Sequence, residues 1–239
     1  MDENTTLWRA LDVERETAIA LVVAPLLLAL IHFAARPSVF SRMALGQGLS
    51  DQEGALAGLL WWAGWSVIAY FAVPAALIKV RRGRLADYGL RLPQWRPYLF
   101  VYPLMYVVVL LPMFAVARDD AFLRTYPLYK HAAERPELWA LFHVGYAAQF
   151  FALEFFFRGY LLFAIRRSFG EAAVLVSALP YCMIHFSKPV PEALGSLVAG
   201  IMLGALALRT GSIVGGVAVH YAVALTMDLL ALATKAGRL

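Results

Sequence analysis

Seven apolar runs of 15 to 25 residues divide this 239-residue chain: Thr17–Ala35, Gly54–Ile78, Tyr98–Ala117, Trp139–Phe163, Ala172–Phe186, Ala193–Leu208 and Ser212–Leu232. A bilayer core is crossed by about 20 apolar residues as a helix but by only about 10 as a barrel strand. Within lipid, every backbone amide must be bonded inside its own helix or around a closed barrel. Runs of this length therefore predict helices. Hydrophobic residues make up 62% of the chain and charged ones 15%, against roughly 45–50% and about 25% in soluble domains. The polar stretches between the runs are too short for a soluble domain, which needs at least about 50 residues. The expected fold class is all-α: a polytopic integral membrane protein of about seven transmembrane helices, with its chemistry inside or at the edge of the lipid.

The net charge of +5 fits loops beside anionic lipid, so the bilayer is the expected partner and nucleic acid is not. Cys182 is the single cysteine, which excludes an internal disulfide and multi-cysteine metal sites. The first residues are polar and acidic where a secretory signal would be basic, so the first run is expected to stay as an anchor. Lys79, Arg81, Arg82, Arg84, Arg91 and Arg96 make the segment 79–96 the richest in basic residues, and it is expected to be cytoplasmic. Ser187-Lys188-Pro189-Val190-Pro191 predicts a tight hairpin between the two shortest runs. The segment 118–138 mixes both charge signs with Phe122, Tyr126 and Tyr129, as an interfacial segment would.

A charge in the middle of a span costs roughly 2.5–3.5 kcal/mol on insertion scales, so such residues point to function. Glu154 and Arg158 lie four apart in the fourth run, on one helix face. Counting about 1.5 Å per residue from the flanking loops puts Glu154 at roughly 18 Å depth, His185 at roughly 21 Å and His220 at roughly 16 Å. One carboxylate and two imidazoles at a shared level exceed what a structural ion pair requires. They are the groups that hold either a water for acid–base hydrolysis or a zinc ion. Asp228 falls about 12 Å beyond His220 and is assigned a structural or gating role. Gln149, one turn before Leu153, is able to orient a water but is no base. Cys182 reads as a small core residue.

At these residues the chain resembles the CAAX-prenyl-protease and bacteriocin-processing (CPBP, or Abi) family of intramembrane proteases, over about residues 139–232. The family's Glu-Glu-x-x-x-Arg, Phe-x-x-x-His and His-x-x-x-Asn motifs correspond to Leu153-Glu154-Phe155-Phe156-Phe157-Arg158, Tyr181-Cys182-Met183-Ile184-His185 and His220-Tyr221-Ala222-Val223-Ala224. Asp87-Tyr88-Gly89-Leu90 upstream also looks like family sequence. The resemblance implies a CAAX-protease-like helical bundle, organised as N-terminal helices over 1–138, core helices over 139–232 and a short tail over 233–239. It also implies a bacterial plasma-membrane endopeptidase acting on a membrane-associated protein or peptide, of C-terminal processing or sorting-signal type. Glu154, His185 and His220 are then the candidate catalytic residues, with Arg158, Tyr181, Gln149 and Asp228 in support and zinc as an optional cofactor on Glu154, His185 and His220. Leu153 stands where the family has its water-activating glutamate, and Ala224 where it has asparagine. Either Glu154 takes over as base, or the chain is an inactive scaffold that binds a membrane peptide or partner, such as an immunity factor.

Overall fold

The computed structural model describes residues 13–43, 47–92 and 98–239. Each of the seven apolar runs forms a helix, and every regular element among the described residues is helical. In chain order these are α1 (Arg15–Ala34), the short α2 (Pro37–Arg42), α3 (Asp51–Val80), α4 (Val101–Val116), the short α5 (Asp120–Thr125), α6 (136–169), α7 (Ala173–Met183), α8 (Val190–Thr210) and α9 (Val214–Lys235). Five helical stretches are long and apolar enough to cross a membrane. One of these, Pro136–Met183, contains both α6 and α7, joined by a single turn at Gly170–Ala172; α4 is shorter. The protein is thus a polytopic helical membrane bundle. The chain's first 12 residues and Arg96 lie outside the described residues, so the expectations placed on them do too.

The stretch Pro136–Met183 is 83% buried over its most apolar window, whereas the other four long stretches are at about a third or less. The other helices therefore wrap around α6, and their outer faces are left for lipid. Phe155, Phe156 and Phe157 occupy three successive directions around α6 and all are fully buried. Two wide π-turns face one another at this level, Ile68–Ala72 in α3 and Phe155–Leu161 in α6. Tyr70 stacks on Phe156 with ring centroids 4.9 Å apart, and Phe71 meets Phe155 at 5.1 Å. A π-turn accommodates one extra residue within a helix. Here that widening lets a run of bulky rings fit without breaking the helix.

Gly159, inside the same wide turn, is required by a close approach: a Cβ there would sit 2.7 Å from the Tyr88 carbonyl oxygen. The turn carrying Asp87-Tyr88-Gly89-Leu90 thus inserts against α6, and the Ile213 amide donates to the Gly89 carbonyl at 3.0 Å to tie it to the start of α9. At the same end of the bundle, Glu16 pairs with Arg167 at 2.9 Å and with Arg81 at 3.8 Å.

In the segment 118–138 the aromatic residues turn inward onto the protein. Phe122, Tyr126 and Tyr129 are at most 2% exposed and pack onto the bundle's opposite end. The reason is polar as much as apolar. Tyr126 donates its hydroxyl to Glu192 at 2.7 Å, its carbonyl accepts from Lys235 at 2.8 Å, and the Tyr129 hydroxyl donates to the Gln52 carbonyl at 3.2 Å. Aromatics whose hydroxyls find partners within the protein have no need of the headgroup layer. Burial, followed by the facing Lys235 amine, lowers the pKa of Lys130 in this segment to about 8.

Candidate active site

Three helices meet where α6 enters its wide turn. Glu154 is the last residue before that turn and is fully buried. Its Oε1 lies 2.7 Å from His220 Nδ1 on α9 and 3.1 Å from Arg158 Nη1, one turn along α6. Gly216, one turn before His220, makes this possible: a Cβ there would lie 3.0 Å from Glu154 Oε2, so α9 closes on the carboxylate only because that position is bare. The shared depth expected for Glu154 and His220 is therefore direct contact.

Tyr181 on α7 completes the group. Its hydroxyl lies 3.2 Å from His220 Nε2, and the Arg158 guanidinium carbon sits 3.7 Å above its ring centroid, in cation–π contact. His185 lies just beyond α7, in the turn that leads to α8. Its ring centroid is 4.7 Å from that of Tyr181, and its Nδ1 lies 2.8 Å from the Tyr181 carbonyl oxygen. A carbonyl only accepts, so Nδ1 carries the hydrogen and the neutral ring presents its lone pair at Nε2. Glu154 Oε2 and both terminal nitrogens of Arg158 are buried with no hydrogen-bond partner of good geometry among the described residues. A bound water would satisfy such groups.

Leu153 and Ala224, at the two departures from the motifs, are each 5% exposed and pack in apolar clusters. Gln149 is buried with its Oε1 unpartnered and makes no hydrogen bond to Glu154 or to either histidine. Cys182 is half-buried and its thiol points to the Ala193 carbonyl. Zinc has no ready-made site on these side chains. Among the described residues no three His, Cys, Asp or Glu side chains gather closely enough to hold a metal. His220 spends both nitrogens on protein partners and Glu154 one oxygen on Arg158, so Glu154, His185 and His220 are not a preformed ligand set.

Asp228 sits apart from this group, as its depth predicts, and has a partner that the sequence reading missed. His143 Nε2 on α6 lies 3.3 Å from Asp228 Oδ2, Trp139 Nε1 donates to the same oxygen at 3.3 Å, and the Leu128 amide donates to Oδ1 at 3.0 Å. The signal was available: a carboxylate in an apolar run needs a partner, and His143 is the one imidazole inside the fourth run. Asp228 thus pins the segment around Leu128 to α9. Asp228→Ala would unpair the buried His143 imidazole and the half-buried Trp139 and Leu128 N–H groups, a buried group left without a partner costing about 1–3 kcal/mol. Trypsin is expected to cut the variant at Arg124 or Lys130 at least about tenfold faster than the parent protein; equal protection would show that Asp228 does not hold the segment.

Comparison with known families adds an independent finding. Residues 135–226 match the family described as Rce1-like, Type II CAAX prenyl endopeptidase. The match spans well under half of this chain. No curated protein and no solved structure matches it. The Rce1-like segment begins at the start of α6 and runs through most of α9, so it contains Glu154, Arg158, Tyr181, His185 and His220. The similarity to an endopeptidase family thus falls on the segment that holds the candidate site.

Proposed function

We propose that the protein hydrolyses a peptide bond near the C-terminus of a membrane-associated protein or peptide, with Glu154 and His220 as a coupled acid–base unit and His185 as the water-holding imidazole. The observation that carries this reading is the 2.7 Å bond between Glu154 and His220 in a fully buried setting. Nothing else in the packing requires two polar residues from α6 and α9 to meet there. Glu154 works through His220 in this reading: its Oε1 orients the imidazole and stabilises the imidazolium that forms when a proton arrives. Arg158 keeps the carboxylate in place. The Nε2 lone pair of His185 accepts one O–H of the attacking water. The chemistry runs on these side chains, and no step is assigned to a metal.

The family's description suggests a prenylated C-terminus as the first substrate class to test. Membranes containing the protein are expected to cleave a fluorogenic farnesylated CAAX peptide, and His185→Ala is expected to slow cleavage about 100-fold while the protein still accumulates. Unchanged cleavage would remove His185 from the mechanism.

A second reading, an inactive scaffold that binds a membrane peptide, draws on buried Leu153 and Ala224 at the two altered motif positions. It expects peptide binding without turnover, and binding that survives replacement of either histidine.

A further inference from the structure

His220 has no nitrogen left for a water. Its Nδ1 is taken by Glu154 at 2.7 Å and its Nε2 by the Tyr181 hydroxyl at 3.2 Å. A carboxylate only accepts, so Nδ1 bears a hydrogen, and in the neutral ring the phenol donates to Nε2. A proton that His220 takes up or gives away at Nε2 must then pass across the Tyr181 oxygen. The tyrosine cannot easily swing aside to expose the imidazole. It is 2% exposed, with Arg158 over its face at 3.7 Å, the Phe157 ring edge-on at 5.4 Å, and α8 so close that a Cβ on Gly200 would meet its Cδ1 at 3.1 Å.

We propose that Tyr181 is a catalytic residue of this chain: its hydroxyl is the terminal member of a Glu154–His220–Tyr181 relay and exchanges protons with the water and the leaving amine. The proposal rests on the peptidase reading and deepens it. The corresponding family motif has phenylalanine here, so the hydroxyl is an atom this chain adds beside two polar groups it lacks, at Leu153 and Ala224. In the first half of the reaction, the water held by His185 gives its other proton to the Tyr181 oxygen while the Tyr181 proton moves to His220 Nε2. The water oxygen bonds to the peptide carbonyl carbon as the C=O π pair moves onto the carbonyl oxygen, whose return expels the amine in the second half, and His220 is left as an imidazolium against the Glu154 carboxylate. In the second half the imidazolium returns its proton through Tyr181 to the amide nitrogen as the C–N bond breaks. One water is consumed, an acid and an amine are released, His220 is neutral again, and no electrons are exchanged with any other group.

Tyr181→Phe is the decisive variant, because it keeps the ring, its packing and the cation–π contact while removing only the hydroxyl. With the farnesylated fluorogenic peptide, kcat is expected to fall about 100-fold or more, with KM changed by less than about threefold, as for an interaction made only in the transition state. A kcat within about threefold of the parent value, beside an inactive His220→Ala, would overturn the relay and leave the peptidase reading standing. No cleavage by the parent protein would overturn both. If Tyr181→Phe does not yield a monodisperse protein, site-specific incorporation of a fluorinated, more acidic tyrosine at 181 keeps the bond. Its pH–rate profile is expected to shift toward lower pH, and an unshifted profile would overturn the proposal.

Discussion

Replacing Glu154 by glutamine should reduce processing by on the order of 10³-fold or more, with the protein still in the membrane, because glutamine has the shape of the carboxylate but cannot stabilise an imidazolium. The geometry is unusually demanding of the charge. The carboxylate is fully buried and contacts His220 and Arg158 through the same oxygen, Oε1. Removing His220 instead, as His220→Ala, deletes the proton carrier and should give a loss of similar size. The double variant Glu154→Gln/His220→Ala should then be scarcely worse than either single one, since residues that act as a unit are strongly non-additive. The measurement is initial cleavage rate per unit of folded protein. Losses that multiply would show two independent roles, and full activity in Glu154→Gln would end its assignment.

Arg158→Met is expected to have the largest effect on stability. It strips a buried carboxylate of its guanidinium partner and removes the contact over Tyr181. Breaking a buried pair by deleting one member typically costs about 3–5 kcal/mol, comparable with a small protein's whole stability of about 5–15 kcal/mol. Size-exclusion profiles and thermal melting in detergent should show it. Replacing both members, as Glu154→Gln/Arg158→Met, should recover much of that loss, because neither partner is then left charged and alone. A double variant no more stable than the single one would mean that Arg158 supports the fold through its ring contact and not through its charge.

Much of this was legible in the residues. The apolar runs located all seven major helices because lipid leaves the backbone few options, and depth arithmetic brought Glu154 and His220 together because helix rise is nearly constant. The pairing of Asp228 with His143 is not marked by any motif, although a carboxylate in an apolar run calls for a partner. The inward turn of the rings around Tyr126 was not legible, because a membrane interface and a protein interior select similar amphipathic rings; it takes the hydroxyl partners at Glu192 and Gln52 to show it. The paired π-turns had no sequence signal at all. They arise from how Tyr70, Phe71 and the three phenylalanines share one layer, which is a property of two helices together.

The wide turn at Phe155–Leu161 begins immediately after Glu154 and contains Arg158. Its extra residue sets the angular phase of everything that follows on α6 relative to everything before it. Winding the same residues as an ordinary helix here would rotate the two halves by about 100° against each other. The site is therefore encoded in the local winding of the chain as well as in its side chains: the same residues on an evenly wound helix would present their charges to the wrong neighbours.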